Sequence, residues 1–287
     1  MFRRRAPAVL ALALVAAMVP ARAGAEPAQR IVSLNLCTDQ ILIDLVPPGR
    51  IRALSHLAAD AATSSIVHRV KNLTRVRGEA EEVLAIDPDV IVTTEFSTPT
   101  TVSLLERLGR RVVKIPFAND IAGVRTAVRI IAEAAGAIEE GDAIVANFDR
   151  RLAALATAPR NDPAPTAVIY QVNGLASGRG TLADEALRIA GFRNLAPELN
   201  LDPGGRVALE VIVAHPPDLL VLSGPSGEYR TVVADNLAHP ALAAVMRQRA
   251  TLVVPWRYWL CGTPYVADAI EALVAARHRL AAGKPPA

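Results

Sequence analysis

The chain has 287 residues, with 31 Lys and Arg against 28 Asp and Glu, and it is 52% hydrophobic although only 4% aromatic. The basic excess sits in the first 25 residues, where Arg3, Arg4, Arg5 and Arg22 stand without an acid; from residue 26 onward 27 bases face 28 acids, a net of −1. A near-neutral balance with no Lys/Arg run excludes the clustered positive surface that nucleic-acid binding rests on, so no nucleic acid is expected as a partner.

The opening residues form a coherent unit. "MFRRR" is a basic start, "APAVLALALVAAMVP" an apolar stretch, and "ARAGA" places small residues at −3 and −1 of a cleavage point, so residues 1–25 are expected to be a signal peptide. The apolar run is shorter than the ~20 residues a membrane span requires, and Arg22 interrupts it. No cysteine stands at the cleavage point, the first being Cys37, which predicts a soluble extracytoplasmic protein rather than a lipid-anchored one. The roughly 260 residues that follow can hold one large or two medium cores.

From residue 26 the elements alternate. "RIVSL" (30–34) reads as a strand, and Thr38 or Asp39 can cap the helix "QILIDLV" behind it. Strands follow at 51–55, 89–94 and 111–117, with the helix "TPTTVSLLERLG" ending on Gly109. From Asn119 to Ala158 the apolar residues Ile121, Val124, Val128, Ile131, Ala135, Ile138, Val145, Phe148, Leu152 and Leu155 recur at helical spacing. As one helix this stretch spans on the order of 50 Å; Gly136 and Gly141 leave open the alternative of two helices in line. After the proline-rich stop "PRNDPAPT", strands at 167–172, 218–223 and 251–256 alternate with helices at 181–191, around 230–238 and at 265–281. The expected fold is α/β: two Rossmann-like lobes with mostly parallel sheets, residues 26–118 and 159–287, joined by one long backbone helix over 119–158.

One phrase occurs twice. "EEVLAIDPDVIVTT" (81–94) is echoed by "LEVIVAHPPDLLVL" (209–222), and in each copy a glutamate, Glu81 or Glu210, stands eight residues before an aspartate, Asp89 or Asp218. Such a repeat at half-chain spacing implies two similar lobes.

These residues resemble the periplasmic substrate-binding proteins of ABC importers for ferric siderophores, haem and cobalamin, the helical-backbone class. The resemblance runs through "SLNLCTDQ", "VRGEAEEVLAIDPDVIV", the long helical stretch, "LADEALRIAGFRNLA" and "GRVALEVIVAHPPDLLVL", and covers nearly all of residues 29–281. It implies a protein of the periplasm that captures a metal chelate between two lobes and delivers it to a permease dimer with its ATPase. Glu81 and Glu210 would then be the surface acids that meet permease arginines, with Glu82 beside Glu81 as the alternative. The ligand would be a ferric siderophore or cobalamin ahead of haem, the chain would act as a monomer, and no cofactor or resident metal is called for.

In a parallel sheet the loops after the carboxyl ends of strands meet at the binding crevice. Those loops nominate Asn35, Cys37, Thr38, Glu95, Phe96, Tyr170, Arg230, Trp256, Arg257, Tyr258, Trp259 and Cys261 as ligand-binding candidates. "WRYWLCG" (256–262) is the densest of them: its rings can stack on a bulky ligand or fill the core under the last helix, while Arg257 or Arg230 can meet ligand oxygens. Cys37 and Cys261, the only cysteines, are read as a cross-cleft disulfide, as two thiols facing the ligand, or as a thiolate pair for a soft metal. The five histidines form no short-spaced cluster for a bare metal ion, and Tyr170, Tyr229 and Tyr258 are the candidates for a haem axial ligand. "GRGTLA" (178–183) matches a dinucleotide fingerprint, but "NGLAS" separates it from its strand and no proton-transfer set accompanies it, so the chain is not expected to be an enzyme. The competing reading is an exported α/β enzyme or a scavenger that works without a permease.

Overall fold

A computed structural model describes residues 27–156, 164–171, 174–223 and 239–283. The expected signal peptide and the helix around 230–238 lie outside the described residues.

The first lobe is built from β1 (Ile31–Ser33), α1 (Leu36–Leu45), β2 (Ile51–Ser55), β3 (Arg75–Val76), α2 (Ala80–Ile86), β4 (Val90–Thr94), α3 (Pro99–Arg107) and β5 (Val112–Ile115). Its strands form one parallel sheet in the order β3-β2-β1-β4-β5. Next come α4 (Ile121–Ala135) and α5 (Ile138–Leu155). The second lobe holds β6 (Thr166–Tyr170), β7 (Leu175–Ser177), α6 (Leu182–Ile189), β8 (Arg193–Asn194), β9 (Gly204–Arg206), α7 (Leu209–Ala214), β10 (Leu219–Ser223), α8 (Pro240–Gln248), β11 (Ala250–Val254) and α9 (Val266–Ala281). Here β11, β10, β6 and β8 are parallel, and β7 and β9 extend the sheet antiparallel. The fold is therefore α/β with two mostly parallel sheets, as the alternating elements predict.

Both sheets are covered on both faces, which explains why their strands are apolar throughout instead of alternating. Ile31, Val90 and Val92 enter the cluster under α1 and α4, while Val32 and Ile91 enter the one under α2 and α3. In the second lobe Ala167, Ile169, Leu219 and Val221 face α6 and α9, and Val168, Tyr170, Leu220 and Leu222 face the other side.

The repeated phrase has a structural cause in its aspartates. Asp89 Oδ2 accepts from the backbone N–H of Gln29 and of Arg30, both at 2.8 Å, just ahead of β1. Asp218 Oδ2 accepts from Thr166 N at 2.8 Å and Thr166 Oγ1 at 2.9 Å, at the start of β6. Each aspartate thus pins the entry of its lobe's first strand and satisfies backbone donors there that have no ladder partner. The bonds from Gln29 and Arg30 hold Asp89 below the usual carboxylate range.

The single strut expected over 119–158 is corrected to an antiparallel pair. Gly136 takes the left-handed conformation (φ 64°) that ends α4, and the chain turns back. Arg125 then pairs with Asp149 at 2.8 Å and Arg129 with Asp142 at 3.8 Å, contacts that only two helices side by side can make. Gly141 lies against Ala132 so closely that a Cβ would overlap it. At 15 and 18 residues, the helices are about 22 Å and 27 Å long. Each has a foot in both lobes: Ile121 and Val124 at one end of α4, and Phe148 and Leu152 at the far end of α5, join the second lobe's core, whereas Ile131, Ala135 and Val145 join the first's.

Candidate functional site

The carboxyl ends of the two sheets face each other, as cross-lobe contacts demonstrate. Cys37, behind β1, is bonded to Cys261, behind β11, with the Cα atoms 5.1 Å apart. Ser65 Oγ donates to the Arg257 carbonyl at 3.1 Å, and Thr263 Oγ1 donates to Gln40 Oε1 at 3.0 Å in a buried bond. Of the three readings of the cysteines, the disulfide is the correct one; free thiols and a thiolate metal pair are both overturned.

On the first lobe the floor of the crevice lies at the switch point between β1 and β4. Asn35, not Thr38 or Asp39, caps α1: its Oδ1 accepts from Cys37 N at 2.8 Å. Its Nδ2 donates to Ser97 Oγ at 2.6 Å, and Ser97 Oγ lies 2.7 Å from Thr94 Oγ1, so the loops after β1 and β4 are laced together. Thr38 is fully buried; its hydroxyl donates to the Asn35 carbonyl at 2.8 Å and lies 2.7 Å from Ser33 Oγ. Thr38 is therefore corrected from ligand contact to support. Asp39 is also buried and accepts from Ser55 N at 3.1 Å and from Ser55 Oγ, which ties α1 to the end of β2. Burial pushes its carboxyl up to about 7, against the lowering effect of hydrogen bonds from Ser33 and Ser55.

Above this floor stand exposed apolar side chains. Phe96, behind β4, is 76% exposed; Phe117, behind β5, is 57% exposed; Leu57, behind β2, is 38% exposed. Glu95 is exposed beside Phe96. Phe117 and Leu57 escaped the sequence reading, although an aromatic directly after a strand in an aromatic-poor chain was the available signal.

On the second lobe a single 3-10 turn, Trp256–Tyr258, follows β11. Trp256, Arg257, Tyr258 and Trp259 are all half-buried. Trp256 packs on the cluster that holds Val168 and Leu220, and Tyr258 and Trp259 pack on the one under α6 and α9, so the rings serve core and surface at once. The Arg257 guanidinium lies 5.0 Å from the Tyr258 ring centroid, a cation–π distance. Tyr170 is corrected: it is completely buried at the end of β6, where burial and the Glu210 carboxylate push its hydroxyl up, and it presents no surface to a ligand. Cys261 is buried as well. Arg230 and Tyr229 lie outside the described residues.

Glu81 and Glu210 occupy matching places, each the second residue of the short helix ahead of its lobe's "PD" strand, and both are exposed. Glu82 differs: its Oε2 accepts from Arg77 N at 2.8 Å. Among the described residues no group of three His, Cys, Asp or Glu side chains is placed to hold a metal ion, and no helix is long and apolar enough to cross a membrane. Gly178 of the dinucleotide-like motif lies against the Leu201 carbonyl, and Arg179 N donates to Asp202 Oδ1 at 2.6 Å, so the chain's own acid fills the place a phosphate would take. A cavity of about 510 Å³ sits apart from the crevice, against α5 and the start of α9. Its charged groups are already paired, Arg151 with Asp268 across the cavity and Asp44 with Arg69 outside its lining.

Two α/β lobes joined by a helical pair, with the carboxyl ends of their sheets brought together, define a two-lobed fold. A family model described as "Periplasmic binding protein" matches residues 31–249. The chain belongs to the periplasmic binding protein family, whose members are extracytoplasmic binding proteins and not enzymes. It is 28% identical over 219 residues to the "Cobalamin-binding protein" of Halobacterium salinarum, a match covering 75% of this chain and 59% of that one. The chain thus spans less than two thirds of the curated relatives it matches. Among solved structures, the periplasmic heme-binding protein RhuT from Roseiflexus sp. RS-1 superposes with a TM-score of 0.72 at 24% identity, over 88% of this chain and 99% of that one. The periplasmic vitamin B12 binding protein BtuF of Vibrio cholerae gives 0.66 at 17% identity, over 88% and 97%. These likenesses are of fold.

Proposed function

We propose that this protein captures a metal chelate in the crevice between its lobes and hands it to an ABC permease dimer coupled to an ATPase. What supports the reading is the occurrence of exposed Phe96, Phe117 and Leu57 behind carboxyl ends of strands of the first sheet and of the half-buried Trp256–Trp259 segment behind β11 of the second. Apolar and aromatic walls with few fixed charges suit a large, rigid ligand that brings its own metal. Cobalamin is the first choice within that class and a ferric siderophore the second. Haem ranks lower, because one of the tyrosines that could ligate its iron, Tyr170, is completely buried. The similarity to a relative named for cobalamin points the same way.

Residues 1–25 serve as the export signal in this reading, the chain works in the periplasm as a monomer, and Glu81 and Glu210 are the acids offered to the permease. Glu81 is chosen over Glu82 because Glu82 is engaged with Arg77. The test is titration of the purified protein with cyanocobalamin, haemin and a ferric siderophore, followed by intrinsic fluorescence and absorbance. Saturable one-to-one binding of one of the three, at about micromolar affinity or tighter, is the expected result. Failure of all three to bind would sink the reading.

A further inference from the structure

Both tryptophans of the chain lie in residues 256–259, and the segment that carries them is divided between the lobes. Its rings pack into the second lobe. Its backbone and the residues just after it are fastened to the first lobe. The Arg257 carbonyl accepts from Ser65, Cys261 is bonded to Cys37, and Thr263 is bonded to Gln40. Tyr265, packed on the first lobe's core, receives a hydrogen bond from Arg69 at 3.1 Å. Only one of these fastenings is covalent, and it attaches at the start of α1, directly behind the Asn35–Ser97 bond on the crevice floor.

We infer that the Cys37–Cys261 disulfide is a positioning pair for ligand capture: it holds the Trp256–Trp259 segment as a strap at a fixed height between the lobes and so sets the width of the crevice. The helical hairpin alone leaves the lobes free to rock about its long axis, since α4 and α5 both run between the same two cores. The strap lies on the path of that rocking. With the sulfurs joined, the aromatic wall cannot recede from Phe96 and Phe117 without rupturing a covalent bond, and the ligand meets a preset site instead of having to order one.

This role rests on the capture reading, but it has a readout that needs no ligand. The full chain is compared in three forms: oxidised wild type, wild type whose disulfide has been reduced to two thiols by dithiothreitol (itself oxidised to its cyclic disulfide), and Cys37→Ser with Cys261→Ser. The emission maximum reports the strap alone, because no tryptophan lies elsewhere. The opened forms should show a red-shifted maximum with unchanged far-ultraviolet dichroism, and about tenfold weaker binding of cyanocobalamin. Leu105→Ala, a cavity in the fully buried first-lobe core under α2 and α3 that holds no residue of the strap, is the stability control and should leave both readouts at their wild-type values. If the serine variant does not fold, the reduced wild type carries the test. An unchanged emission maximum, or affinity within about twofold of the oxidised form, would overturn the positioning role and leave the disulfide as a fold staple. Should no chelate bind the oxidised protein, the capture reading fails while the emission result still decides the strap.

Discussion

Replacing Asp39 with asparagine should make the protein more stable at alkaline pH than the wild type, and the gain should disappear in acid. Asp39 is completely buried on α1, and its carboxyl is raised from 3.8 to about 7. The unfolded chain releases this proton near the ordinary value, whereas the folded protein retains it until about neutrality. Below the unfolded value both states are protonated and the contribution is fully present. As pH rises through the window between the two values the unfolded state is increasingly favoured, and above about 7 the loss is complete. A shift of roughly three units corresponds to about 4 kcal/mol as an upper estimate. Asparagine is isosteric: its oxygen still accepts from Ser55 N, and its amide donates to Ser55 Oγ, which now acts as acceptor. The assay is urea unfolding of both proteins from about pH 4 to about pH 9, with the difference taken at each pH. Subtraction removes other titrations, among them Asp87 and Asp89, whose carboxyls are held low by Arg110 and Arg30 and by backbone N–H groups and so act in the opposite sense. A difference that does not grow with pH, or a variant less stable throughout, would show that Asp39 is ionised in the fold and that burial is outweighed by Ser33 and Ser55.

Other predictions follow from the crevice and the lobe architecture. Glu81→Arg combined with Glu210→Arg should abolish chelate uptake in cells while the purified variant binds as before; uptake at wild-type rates would remove both acids from the docking role. Phe96→Ala and Phe117→Ala should each weaken chelate binding about ten- to a hundredfold, from the ~1.5–3 kcal/mol that burying such a ring contributes, with unfolding midpoints unchanged because both rings are exposed in the free protein. Gly262→Ala should cost about 1–3 kcal/mol in urea unfolding, since the added Cβ would overlap the Ala118 Cβ and come 2.8 Å from its carbonyl oxygen. Asp89→Ala and Asp218→Ala should cost similar amounts, about 1–2 kcal/mol each, because each strands donors at the head of a first strand; a large cost at one and none at the other would refute their equivalence.

The sequence carried the alternation of parallel strands and helices because both sheets are covered twice, and apolar runs of four or five residues bounded by turns are what that burial demands. The antiparallel β7 and β9 were not visible: three residues each, one of them beginning Gly204–Gly205, show no pattern to read. Helical periodicity also continues across Gly136, since the apolar stripes of α4 and α5 face the same cores; a stripe records which side of a helix is buried, not the direction in which the chain runs. The loops that carry Cys37 and Cys261 made a cross-cleft bridge one of the readings, but only the packing of the lobes, which brings the two Cα atoms to 5.1 Å, decides it. Tyr170 and Thr38 were misplaced for a related reason: loops at carboxyl ends are legible, but whether a given side chain turns inward is settled by packing.

The helical pair has a consequence for dissection of this molecule. The polypeptide travels between the lobes three times, once ahead of α4 and then along each helix, and neither core closes without residues contributed by that traffic. A fragment ending near residue 118 would lack Val128, Ile131 and Ala135 and leave the underside of its sheet bare to water. Exchanging lobes between relatives to alter what they carry therefore means moving the helices as well, cut so that each half of the hairpin stays with the core it completes.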